Sequence, residues 1–170
     1  KRGGSPKQEI KGLRAIENLD FELVAKADRI DTDEAGNFLI YDYKSGSPPT
    51  RPQTEFFNKQ LQLEAAIAAA GGLEKIGTGT AVTLAYIGLS GSAQDTVGKT
   101  LDLEITPADI DQVWQEFVEL VQSYQSATKG FPARTRMQQM SYAYEFDHLS
   151  RKGEWEESDA PVDIPVGGML

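Results

Sequence analysis

The chain contains no cysteine and a single histidine, His148. Disulfides, zinc fingers and cysteine-held iron–sulfur clusters are thereby excluded within it, as is a metal site built from histidines. Any metal held here must be held by oxygen. No apolar run reaches the length of a membrane span and no signal-peptide pattern opens the sequence. No membrane partner is therefore expected, and the cysteine-free composition suits a reducing, cytoplasmic setting. Basic residues are scarce beside acidic ones, 17 against 26, for a net charge of −9. A free-standing nucleic-acid binder normally carries a basic surface. The charge argues against that role unless other parts of an assembly grip the phosphates. Some of the acidity is local, in Glu154, Glu156, Glu157, Asp159 and Asp163 near the C-terminus. Opening on Lys1 rather than Met leaves a fragment, a processed chain or a cloned domain as the expectations.

What is present suffices for one sizeable domain, since 170 residues with 39% hydrophobic content can bury a real core. Residues 1–12, with their Lys, Gly, Ser and Pro, read as a flexible lead-in, 13–157 as the domain and 158–170 as a flexible tail. Leu13, Ile16 and Leu19 fit either a short strand or a short helix. Phe21, Leu23, Ala25 and Ala27 alternate with polar residues and lead into Asp28-Arg29-Ile30-Asp31, which reads as one half-buried strand. A polar turn, Thr32 to Asn37, joins it to a second strand, Phe38-Leu39-Ile40-Tyr41-Asp42-Tyr43-Lys44. Asp33, Gly36 and Asn37 tolerate the dihedrals that such a turn needs.

If the hairpin is symmetric about Ala35, paired residues have numbers that sum to 70. Asp28 then faces Asp42, Ile30 faces Ile40, and Lys44 shares the face of Asp42. Asp31, an odd number of residues from Asp28, points to the opposite face. Two opposed carboxylates repel, and a hard cation such as Mg²⁺, which takes one or two carboxylates, would relieve that repulsion. The pairing alone leaves a metal site and a solvated charged face both open.

Beyond the lysine, three prolines and a glycine make 45–52 a loop. A helix is expected from Thr54 to Ala70, stopped by Gly71-Gly72. Its three- and four-residue steps align Phe56, Gln60, Glu64 and Ile67. On spacing alone, Gln60 and Glu64 mark the solvent boundary of an amphipathic helix. Thr80 to Leu89 is nearly all apolar and reads as a central strand covered on both faces. Thr100 to Ile105 alternates as a further strand. Thr106 caps the clearest helix, with Pro107 in its first position and Asp109 at the positive dipole end. Ile110, Val113, Trp114, Phe117, Leu120, Val121 and Tyr124 keep helical period and read as core-facing, without chemistry. Arg134, Arg136, Met137, Tyr142, Tyr144 and Phe146 could stack on nucleic acid, but closing the core comes first. His148 reads as a surface or capping residue.

Taken together, Ala-Asp-Arg-Ile-Asp, then Ile-Tyr-Asp-Tyr-Lys-Ser-Gly, then Lys-Gln-Leu-Gln-Leu-Glu-Ala-Ala-Ile resemble the RecB-family branch of the PD-(D/E)XK nucleases. The likeness, from about Asp20 to Trp155, is greatest to the C-terminal nuclease domain of AddB-type subunits of bacterial helicase–nucleases. It implies an α/β, restriction-endonuclease-like core, a mixed sheet flanked by helices. It further implies Asp28 and Asp42 as metal-binding carboxylates, the backbone carbonyl of Tyr43 as a further ligand, Lys44 as the catalytic lysine and Gln60 as the motif glutamine. The implied reaction is hydrolysis of DNA phosphodiesters with Mg²⁺, or Mn²⁺ in its place, as an exonuclease in double-strand break processing. An AddA-type helicase–nuclease subunit would be the partner. Glu64 stands where the branch usually has tyrosine. The branch also has an upstream helical motif with a metal-binding His or Glu, for which Glu9 is a poor match. The cysteines that hold an iron–sulfur cluster in many relatives are absent. Two alternatives stand beside this reading, a catalytically weak or inactive module with a structural or DNA-guiding role in the same complex and a stand-alone nuclease of the same fold.

Overall fold

The structure, a computed structural model, describes residues 10–89, 99–126, 129–130, 148–149, 151, 153–156, 158–160 and 162. The basic and aromatic stretch with Arg134, Arg136, Met137, Tyr142, Tyr144 and Phe146 lies outside them, as do Glu9 and most of 158–170. The chain divides into two compact units, 1–118 and 119–170. Among the described residues no helix is long and apolar enough to cross a membrane.

Strands β1 (Ile10–Ala15) and β2 (Glu22–Ala27) pair antiparallel as a small sheet of their own. The segment around Leu13 is therefore a strand, and the expected lead-in gives way to sheet at Ile10. The second sheet holds β3 (Arg29–Thr32), β4 (Phe38–Lys44), β5 (Ala81–Gly88) and β6 (Thr100–Glu104), in the order β3-β4-β5-β6. The expected single strand from Phe21 to Asp31 is thus two strands broken at Asp28. Ala27 pairs with Ile10 in one sheet, while Arg29 pairs with Tyr41 in the other. The alternation of apolar residues runs through the break and hides it.

The turn from β3 to β4 is organised by one side chain. The Asp33 carboxylate accepts hydrogen bonds from the backbone amides of Ala35 (2.9 Å) and Asn37 (2.8 Å) and from the Asn37 side chain (2.9 Å). Gly36 takes a φ of 85° there, which glycine adopts without steric cost. The closed turn holds the register symmetric about Ala35, with Ile30 opposite Ile40.

β4 and β5 run parallel, with Asp42 beside Tyr86 and Lys44 beside Gly88. A parallel pair needs a crossover, supplied by α1 (Arg51–Phe56) and α2 (Gln60–Ala69). The expected helix from Thr54 to Ala70 is thus two helices, and the expected loop ends at Thr50. Pro52 sits in the first turn of α1, where its missing N–H leaves no bond unmade. After Phe56 the amides of Phe57 and Asn58 both bond the Gln53 carbonyl (2.9 and 2.8 Å), the second spanning five residues, so the chain leaves α-helical geometry before Gln60. Phe56 therefore does not share a helix with Gln60. At the other end, the Gly71 and Gly72 amides bond the Ala68 and Ile67 carbonyls, both at 2.9 Å, in a Schellman closure with Gly71 at φ 73°.

The core lies between the sheet and α2: Phe38, Ile40, Leu61, Ala65, Ile67, Ala68, Leu84 and Tyr86 are all buried. β6 pairs antiparallel with β5 at the far side. It is followed by α3 (Pro107–Ser123), whose Ile110 is buried while Val113, Trp114 and Phe117 are half-buried. Leu120 and Tyr124 are exposed, so the apolar stripe of α3 is only partly core-facing, contrary to the expectation from its periodicity.

Candidate active site

Along β4 the core-facing positions are Phe38, Ile40 and then Asp42, which is only 4% exposed. A carboxylate thus occupies a position that strand alternation reserves for an apolar side chain. Burying it is costly unless it is paired and hydrogen-bonded. Its partners come from the same strand and from the first residue of α2. The Gln60 Nε2 donates to Asp42 Oδ1 at 2.8 Å. Lys44 Nζ lies 2.8 Å from Asp42 Oδ2. That ion pair lacks hydrogen-bond alignment, so Oδ2 receives no directed donor. Lys44 is half-buried, also donates to Gln60 Oε1 at 3.2 Å, and stands 5.6 Å from the centre of the Tyr86 ring.

Gln60 is the hub because the break before it ends α1 and lets α2 start at the strand ends. Its Nε2 also donates to Glu64 Oε1 at 3.2 Å, one turn along α2. Glu64 is 3% exposed and does not lie at a solvent boundary, which corrects the expectation from helical spacing. The signal was in the composition of α2. Gln60-Leu-Gln-Leu-Glu-Ala-Ala-Ile-Ala-Ala has apolar residues on every side, the composition of a mostly buried helix, and six of its ten residues are buried. Burial pushes the Glu64 carboxyl up to about 7; the Gln60 hydrogen bond opposes the shift, and the charges of Asp42 and Asp28 add to it. Tyr86, fully buried beneath, is pushed up to about 12, mainly by burial.

Asp28 is placed differently. It sits in the break between β2 and β3, is exposed, and its Oδ2 accepts the Tyr43 amide at 3.0 Å. By register that amide lies opposite residue 27, which has left for the other sheet, so the Asp28 side chain takes the place of a ladder partner. The β3–β4 ladder ends at Arg29 opposite Tyr41, so Asp28 lies one residue beyond it and is not a ladder partner of Asp42, contrary to the expectation from the symmetric hairpin. Asp28 nonetheless stays within electrostatic reach of Glu64. Asp31 is occupied elsewhere, bidentate to Arg29 at 2.8 and 2.6 Å. His148 is exposed, its carbonyl accepting the Arg151 amide at 3.3 Å.

The loop leaving Lys44 passes close over β5. A side chain at Gly88 would lie 2.6 Å from Pro48 Cδ and 2.9 Å from the Gly46 carbonyl, so glycine is what lets the loop fold back there.

Among the described residues no three acidic side chains form a ready-made metal cage. The fit to a hard cation rests instead on orphaned oxygens. Asp42 Oδ2 and Glu64 Oε2 are both buried without a hydrogen-bond partner. Two carboxylates, with a backbone carbonyl and water, are what Mg²⁺ ordinarily takes from a protein, so the residues present suit it. A buried carboxylate and a lysine at one strand end, clamped by a glutamine, make a site for polarising an anionic ester and holding the water that attacks it.

No curated protein matches the chain. Residues 5–142 do match the profile of a family, and the span covers every strand and helix that builds this site. By that match the chain belongs to the PD-(D/E)XK nuclease superfamily.

Proposed function

We propose that the chain is a divalent-metal-dependent deoxyribonuclease domain of exonuclease type. Asp28, Asp42 and the Tyr43 carbonyl would be its metal ligands, with Lys44 and Gln60 completing the catalytic group. The observation that carries this is the buried Asp42 carboxylate with an unsatisfied oxygen beside the Lys44 ammonium. A bound Mg²⁺ supplies Lewis-acid chemistry, lowering the pKa of a coordinated water and offsetting phosphate charge. The chain's own residues do the rest. Lys44 presents its ammonium to the phosphate oxygens as charge builds on them. Gln60 fixes Lys44 and Asp42 relative to each other, with one amide group bonded to both. Asp28 holds the Tyr43 amide, which sets the backbone between the two reacting side chains.

The ordered motifs quoted above support the narrower reading as well. In it the domain belongs to an AddB-type subunit that acts in the cytoplasm with an AddA-type helicase–nuclease in double-strand break processing and recombinational repair. The net charge of −9, which argues against a strong DNA grip of the chain's own, favours a second reading, a weak or inactive module with a structural or DNA-guiding role in the same complex.

Mg²⁺-dependent cleavage of linear duplex DNA, with closed circular DNA spared, is the expected activity. Asp42→Ala and Lys44→Ala should each lower it by about 10³-fold while far-UV circular dichroism stays that of the parent. Variants as active as the parent would sink the first reading. An inactive parent would favour the second.

A further inference from the structure

We propose that Glu64, from α2, is itself a ligand of the divalent cation, sharing it with Asp42 from β4. The proposal rests on the metal-dependent reading above and adds a ligand to it. Its basis is a mismatch that neither protonation state of Glu64 resolves. Among the described residues, Glu64 Oε2 is buried without a hydrogen-bond partner of any kind. An ionised carboxylate would leave that oxygen without a donor, and a protonated one would leave its O–H without an acceptor. Each is expensive at a position 3% exposed. A cation satisfies the oxygen directly.

The neighbouring carboxylate has the same deficiency. Asp42 is 4% exposed, and its Oδ2 has only the unaligned Lys44 ammonium beside it. One nitrogen, Gln60 Nε2, touches Asp42 Oδ1 at 2.8 Å and Glu64 Oε1 at 3.2 Å. One oxygen of each carboxylate is thus tied to the same donor, and the other oxygen of each is left without a hydrogen-bond partner. Whenever Glu64 is ionised, two buried acids also stand against one lysine, and the uncompensated negative charge in a region of low dielectric is costly unless a positive ion enters.

The test is Mn²⁺ binding to the metal-free protein without DNA, followed by loss of the free-ion electron paramagnetic resonance signal. Wild type, Glu64→Gln and Asp42→Asn are compared. The proposal expects Glu64→Gln to weaken Mn²⁺ binding at least tenfold, as Asp42→Asn does, with the circular dichroism spectrum unchanged. Glu64→Gln binding as tightly as wild type, while Asp42→Asn loses the ion, overturns the role of Glu64 and leaves the metal-dependent reading standing. A wild-type protein that takes up no Mn²⁺ overturns both. Should Glu64→Gln fail to fold, Glu64→Asp, which keeps the charge and withdraws it by one methylene, replaces it with the same expected and overturning outcomes.

Discussion

Helices α2 and α3 teach opposite lessons about pattern and chemistry. α3 runs for 17 residues with apolar side chains along one stripe and charges elsewhere, yet only Ile110 on it is buried. α2 has ten residues, six of them buried, and one of the six is Glu64. The two helices are joined through β1. Arg14 donates to the Ala66 carbonyl of α2 at 2.8 Å and lays its guanidinium 3.8 Å from the centre of the Trp114 ring on α3. A tidy amphipathic stripe says where a helix faces and nothing about what it does. A single acid among buried alanines breaks the pattern, and such a breach needs either a compensating partner or a function.

The largest expected difference between the helices is in stability. Leu61 is fully buried, while Leu120 is 55% exposed. Leu61→Ala should cost about 2–5 kcal/mol, from lost burial and the cavity left behind. Leu120→Ala should stay within about 0.5 kcal/mol. Urea unfolding of the metal-free protein measures both, and equal losses would break the comparison.

Titration comes next. The folded chain holds the Glu64 proton up to about pH 7, whereas the unfolded carboxyl releases it near its ordinary value of 4.5. Between those values the folded state binds more protons, so stability falls as pH rises. The contribution is complete below pH 4.5 and is lost above pH 7, in total about 3 kcal/mol. Glu64→Gln should flatten this slope in the metal-free protein. On α3 the sign is reversed, since hydrogen bonds from Thr106 hold the Asp109 carboxyl below its ordinary value. What Asp109 contributes is therefore lost as pH falls. A metal-free protein whose unfolding midpoint rises from pH 5 to pH 7 in the parent, and equally in Glu64→Gln, would contradict the assignment.

These differences explain what could be read in advance. The β3–β4 register followed from turn chemistry, because Asp33, Gly36 and Asn37 fix a turn whose centre then fixes every pair. Asp42 and Lys44 on one face followed from period two, and the end of α2 from two glycines. The break at Asp28 did not follow. Ala27 and Arg29 belong to different sheets, but the polar alternation of one strand continues unchanged into the next. Nor did the gap between α1 and α2, since Phe57-Asn58-Lys59 contains no residue that forbids a helix. The burial of Glu64 was legible only from the absence of any polar face around it, whereas three- and four-residue spacing pointed the other way. The arrangement around Asp42 therefore depends on two breaks in regular structure, at Asp28 and before Gln60, that local propensity does not mark.

The smallest expected effect sharpens the contrast, because it separates stability from activity. The Thr106 hydroxyl accepts the Asp109 amide at 3.2 Å, and Asp109 Oδ2 accepts the Thr106 amide at 2.9 Å and its hydroxyl at 2.6 Å. The reciprocal cap satisfies donors that the first turn of α3 would otherwise leave unpaired. Thr106→Ala removes the side-chain half of it and should cost about 1 kcal/mol. It alters none of the bonds among Asp42, Lys44, Gln60 and Glu64, so cleavage per folded molecule should equal that of the parent. Gln60→Leu offers the reverse case, keeping a good helix former at the first position of α2 while removing the amide that ties both carboxylates to Lys44. If Thr106→Ala lowered the cleavage rate of fully folded protein as much as Gln60→Leu did, α3 would be part of the catalytic machinery and the separation drawn between the two helices would be wrong.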